Sequence, residues 1–204
     1  MKAFRMGKLL LAIAIVLTAA GGPLAFTQQP GWLLVAAPSM PDPRFARTVI
    51  LILQHGADGT KGVIVNRMID TQPAGEVLQR MLGQRPMAKG GAKDVPIRIQ
   101  FGGPVHTTRW TYIHSGDYRG SNTATVTGKV SLTSNPDILS DLTMGKGPPR
   151  GFLAIGYAGW GPGQLAREMA RKDWFAIPPD SGIVLDRQLA TKWRRALDRR
   201  SVDL

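Results

Sequence analysis

The chain has no cysteine. That absence excludes disulfides, cysteine-ligated zinc, iron–sulfur clusters and thiol catalysis. It leaves the compartment open, because a cysteine-free protein works in any redox environment. Histidine is nearly as scarce: His55, His106 and His114 are the only three. None pairs with another at the spacing of a helical zinc site, so no metal site is expected. Carboxylates number 14 against 26 lysines and arginines, which makes an acid–base pair hard to assemble. Asp42, Asp58 and Asp117 fall in separate loops, where turn formation is the ordinary role of aspartate. There is no G-x-S-x-G elbow for a serine nucleophile. Ser115 follows His114, but adjacency in sequence does not make a nucleophile–base pair. No catalytic residue and no cofactor is assigned on these grounds, and the balance leans away from an enzyme.

What is present begins with a charged and apolar amino terminus. Lys2, Arg5 and Lys8 precede Leu9 to Ala20, which is apolar apart from Thr18, and Gly21-Gly22-Pro23 breaks the run. This order describes a secretory signal, with a core shorter than the roughly 20 residues of a spanning helix. Residues 1–25 are read as a signal peptide or membrane anchor, 26–31 as a linker and 32–204 as the folded domain. An exported or anchored protein is the resulting expectation, with membrane contact through this segment if it is retained; a mis-assigned start would leave the domain in the cytoplasm.

The net charge is +12, of which three lie in residues 1–25. Such a surface attracts polyanions. The densest basic stretch is a helix expected from Gln188 to Arg200, carrying Lys192, Arg194, Arg195, Arg199 and Arg200. Its Leu189, Trp193, Ala196 and Leu197 share one face, so the helix is expected to dock while its charges face water. No helix-turn-helix, RNP or zinc-finger signature accompanies it, so nucleic acid or anionic membrane remains an open partner class without a motif.

Between these ends, short apolar runs alternate with turn residues. Trp32–Ala37, Thr48–Leu53, Gly62–Asn66, Ile97–Phe101, Arg109–His114, Thr123–Leu132 and Gly151–Tyr157 read as strands. The Thr48–Leu53 run lacks alternation and predicts a central strand buried on both faces. Helices are predicted from Pro73 to about Leu82, from Asn135-Pro136-Asp137 to Gly145, and from Pro162 to about Arg171. Trp174–Ile177 reads as a late strand. This order is not a regular βαβ alternation; it indicates a single α+β domain with a coiled, mixed β-sheet and short helices.

The densest motif is Gly156 to Leu165, with glycines at 156, 159, 161 and 163, Pro162, and the aromatics Tyr157 and Trp160. Glycine clusters make sense where φ is positive or backbones approach closely. A strand, a glycine turn and a helix in series can also bind an anion. The spacing matches neither a P-loop nor a dinucleotide fingerprint, however, and Trp160 suits packing or stacking better than a phosphate. The segment therefore reads first as a shaped turn.

Several motifs together resemble the AlgH/YqgE family of bacterial proteins. They are Ala37-Pro38-Ser39-Met40 with Asp42-Pro43-Arg44-Phe45, His55 with Gly62-Val63-Ile64-Val65-Asn66, Gly102-Gly103-Pro104-Val105, Ile113-His114-Ser115, Gly156 to Leu165, and Trp174. The resemblance spans about Leu33 to the C-terminus and implies a bifurcated sheet. It implies transcriptional regulation by name only, and it carries no catalytic set or cofactor. Family members are generally cytoplasmic. Gln54 and Ala166 stand where members often have glutamate, although Glu168 lies close by; a chemical role shared by those two glutamates would be absent here. The function expected is binding or regulation, with the loops between strands forming one cleft. His55, Asn66, His114, Tyr157, Trp160 and Gln164 are the residues expected to line it, and the ligand is an unassigned small molecule or protein. The alternative is a hydrolase or transferase assembled from the same loops, which requires His55, Asn66 and His114 to converge.

Overall fold

The structure is a computed structural model, and it describes residues 29–83 and 95–200. The segment read as a signal or anchor lies outside the described residues. None of the described helices is long and apolar enough to cross a membrane. In chain order the elements are β1 (Leu33–Ala36), β2 (Val49–Gly56), β3 (Gly59–Ile64), β4 (Met68–Pro73), α1 (Ala74–Leu82), β5 (Pro96–Phe101), β6 (Val105–Ser115), β7 (Ala124–Thr127), β8 (Val130–Thr133), α2 (Asp137–Thr143), β9 (Gly151–Trp160), α3 (Gln164–Ala170), β10 (Trp174–Ile177), α4 (Ser181–Leu185) and α5 (Leu189–Arg199).

The strands form one curled sheet in the order β10-β1-β2-β3-β9-β6-β8-β7, with β5 and β4 branching from β9. Among the described residues only the β5–β9 pair is parallel, and the other pairs are antiparallel. The fork lies in β9. From Gly151 to Tyr157 it pairs with β6, and over Leu153–Ile155 also with β5, whereas Ala158–Trp160 pairs with β3. The sheet is thus mixed and bifurcated, and the domain is single and α+β.

The non-alternating runs are explained by burial on both faces. Leu33, Val35, Leu51 and Val63 pack on one side with α4 and α5, whereas Leu34, Ala36, Ile50, Ile52 and Ile64 pack on the other with Trp160, Leu165 and Trp174. Each such side chain contributes roughly 1.5–3 kcal/mol relative to exposure. A third cluster seats α1 and α2 against Ile97, Tyr112 and Leu153.

Three elements differ from expectation. The polar segment Met68–Pro73 is a strand, β4, because β5 offers it a pairing edge; its side chains stay largely exposed. A short helix, α4, follows Asp180, whose carboxylate accepts from the Ile183 N–H at 3.0 Å as an N-cap. In α5, Trp193, Ala196 and Leu197 dock as expected, but Lys192 does not face water. It is fully buried, and its Nζ donates to Val65 O at 2.7 Å and Val184 O at 3.0 Å. Val184 lies in the last turn of α4, where orphan carbonyls require donors. Burial, reinforced by the nearby Arg98, pushes the Lys192 amine down to about 7, with Asp186 opposing.

Candidate functional site

The site is built where two glycine motifs cross. Gly156 has φ +70°, and a Cβ there would lie 2.3 Å from Gly103 O. Gly103 has φ +150°, and its Cβ would meet the Tyr157 carbonyl carbon at 2.1 Å; Gly102 likewise abuts Gly156 O. Only glycine permits backbones this close. Pro104 follows at the crossing, and here β6 leaves β9. Val105 pairs with Tyr157 and Trp110 with Ile155, so five steps on β6 oppose two on β9. The excursion, His106 to Arg109, is exposed and has φ +48° at His106. His106 stacks on Tyr157 with centroids 5.7 Å apart.

The excursion and the β2–β3 hairpin enclose a crease. Its largest part, about 610 Å³, has an apolar floor of Leu53, Val63 and Leu132, with Gln54, Lys61, Arg109, Trp110 and Tyr157 around it. Among the described residues no carboxylate lines this part. Lys61 Nζ sits 5.9 Å from the Tyr157 ring centroid. Among the described residues, the side chains of Lys61 and Arg109 make neither an ion pair nor a hydrogen bond. A second hollow of about 310 Å³ shares Gln54, Lys61 and Tyr157 and adds Asp58, Gly159 and Trp160. A third, of about 260 Å³, shares Val105, Gly159 and Trp160 and reaches Asp42, Gln164 and Trp174. The three hollows adjoin through these shared residues along the second half of β9.

Glu168 fixes the far end. Its Oε2 accepts from the Trp160 and Trp174 indole N–H groups, each at 2.8 Å, and its Oε1 from Gln164 Nε2 at 2.8 Å. Gln164 Oε1 in turn accepts from the Gly161 N–H at 3.0 Å. Gly163, at φ +66°, turns the chain into α3 two residues beyond Gly161, just after Pro162. Phe45 stacks on Trp160 at 6.4 Å, so the loop Pro38-Ser39-Met40-Pro41-Asp42-Pro43 closes over this platform. Asp42 is held below the usual carboxylate range by hydrogen bonds from Arg44.

Of the six residues expected to share a cleft, Tyr157, Trp160 and Gln164 line the crease. The other three are held elsewhere. His55 Nδ1 hydrogen-bonds Thr60 Oγ1 at 2.7 Å in the β2–β3 hairpin. Asn66 accepts from the Val49 N–H and donates to Arg47 O, each at 2.9 Å, pinning the start of β2. His114 is buried between Tyr112 and Tyr118, with Nδ1 on Ser115 O at 2.9 Å and Nε2 without a partner among the described residues. Its burial favours the neutral ring and lowers its pKa. The convergence required for a loop-built hydrolase or transferase is therefore not formed by these three. Among the described residues no group of three or more His, Asp or Glu is placed to hold a metal ion.

Sequence reading missed Lys61, Arg109 and Trp110 as crease residues, because sheet pairing and the β6 excursion bring them together. Glu168 carried a usable signal: it stands four residues after Gln164, the spacing that places side chains together on a helix.

The AlgH-like family model matches residues 33–204. A UPF0301 protein of Afipia carboxidovorans is 40% identical over 182 residues, covering 85% of this chain and 84% of that one. Another from Methylococcus capsulatus is 37% identical, covering 84% and 88%. Among solved structures, the solution structure of AlgH from Pseudomonas aeruginosa aligns with TM-score 0.68 and 31% identity, covering 85% of this chain and 89% of AlgH. Protein DIP2367 of Corynebacterium diphtheriae aligns with TM-score 0.64 and 25% identity, covering 84% and 86%.

Proposed function

We propose, from the premise that this chain belongs to the AlgH-like family, that it is a non-catalytic binding protein whose ligand lies in the crease along β9. The observation that supports this most is the succession of three adjoining hollows along β9, two of them lined by Tyr157, the largest having an apolar floor with Lys61 and Arg109 at its rim. The size of the largest falls within the few hundred to about 1,000 Å³ typical of small-ligand sites. In this reading any regulatory role is exerted through occupancy of the crease, not through a helix laid on nucleic acid.

The test is a small-molecule fragment screen by ligand-observed NMR on wild type and on Thr108→Trp. Thr108 is exposed on the excursion and lines the largest hollow, so a tryptophan there obstructs the crease while leaving the core intact. Fragments that bind wild type and are displaced from the variant support the reading; fragments that bind both equally contradict it.

A further inference from the structure

We propose that the ligand is a phosphorylated nucleoside, with its phosphate held by Lys61 and Arg109 and its ring against Tyr157. This rests on the crease being the binding site and adds the chemical class.

Three features of the largest hollow point the same way. Its two cations form no ion pair among the described residues; exposed Arg119, Arg150, Arg167, Arg187 and Arg194 share that state, so what sets Lys61 and Arg109 apart is their placement on one hollow whose described lining has no carboxylate. Among the described residues no carboxylate lines the hollow to oppose an anion. Cations lining one concave, partly apolar space raise the local concentration of anions, and an arginine offers a phosphate two parallel donors. Aromatic surface lies beside the charge: Lys61 Nζ is 5.9 Å from the Tyr157 centroid, and Trp110 borders the same space. An anion on Lys61 thus places whatever it carries next to an aromatic ring, and base–aromatic stacking is sequence-tolerant. The apolar floor explains why a bare inorganic anion would be a poor occupant.

Two sources supply this chemistry: a free nucleotide, or one unit of a single strand. Isothermal calorimetry on the full chain at low salt separates them, using AMP, adenosine, inorganic phosphate and a six-nucleotide single-stranded DNA. The expected result is saturable AMP binding, with adenosine and phosphate each at least about tenfold weaker, since ring and anion both contribute. Lys61→Ala and Arg109→Ala should each weaken AMP about tenfold, a loss typical of a charge-assisted contact. The oligonucleotide binding more tightly than AMP, with the same two sensitivities, assigns the strand as source; AMP binding alone assigns the free nucleotide. Absence of binding by both, or binding unchanged by both variants, overturns the proposal. If uncharged fragments still occupy the crease in that case, only the ligand class falls; if they do not, the binding reading falls with it.

Discussion

Helix α5 and the crease both carry positive charge, and they use it oppositely. In sequence α5 is the more conspicuous, with five lysines and arginines between 192 and 200. In the structure most of that charge is engaged. Lys192 caps carbonyls inside the protein, Arg195 pairs with Asp186, Arg199 with Asp180, and Arg200 lies 4.2 Å over the Phe175 ring. The largest hollow of the crease has, among the described residues, only Lys61 and Arg109, 48 residues apart in sequence; neither forms an ion pair there, and Lys61 lies 5.9 Å from the Tyr157 ring. Density of charge along a chain is therefore a poor measure of the charge left free by internal partners.

The comparison is broken most directly at Lys192. Lys192→Ala removes the buried stem and strands Val65 O and Val184 O, so a loss of about 3–5 kcal/mol is expected in denaturant unfolding. A loss below about 1 kcal/mol would mean that the lysine is not structural. Gly156→Ala comes next. It forces a side chain to φ +70° and onto Gly103 O, for an expected loss of about 3 kcal/mol and a collapsed crease.

A pH titration sharpens the contrast further. An unfolded Lys192 holds its proton up to about 10.5, whereas the folded one releases it near 7. The unfolded state therefore binds more protons between those values, and stability should rise with pH across that window, by up to about 1.4 kcal/mol per unit from this group. A neutral amine retains two N–H donors, enough for both carbonyls. Lys192→Met should flatten the slope. His114, neutral in the fold, adds a smaller effect of the same sign, lost as pH falls below its ordinary 6.5. The smallest expected effect is on the stability of Lys61→Ala and Arg109→Ala, each within about 0.5 kcal/mol in the same unfolding measurement.

The sequence displayed the frame better than the site. Uninterrupted apolar runs announced β1, β2 and β9, since strands buried on both faces need no polar alternation. The glycine segments Gly102-Gly103 and Gly156 were visible as motifs, but their mutual contact was not, because nothing local says that two glycine runs cross. Strand β4 was hidden by its polar side chains; its order comes from backbone pairing with β5. Lys192 sat in a basic helix and looked solvated, since its acceptor Val65 lies 127 residues away. His55, Asn66 and His114 were visible as polar residues, yet each is occupied by a neighbour that pairing chooses.

The most direct measurement is amide chemical-shift mapping of the full chain during an AMP titration. The expected result is saturable shifts at Lys61, Arg109 and Tyr157, with the amides of α5 unmoved. Shifts concentrated in α5, or none at the crease at saturating AMP, would contradict the assignment.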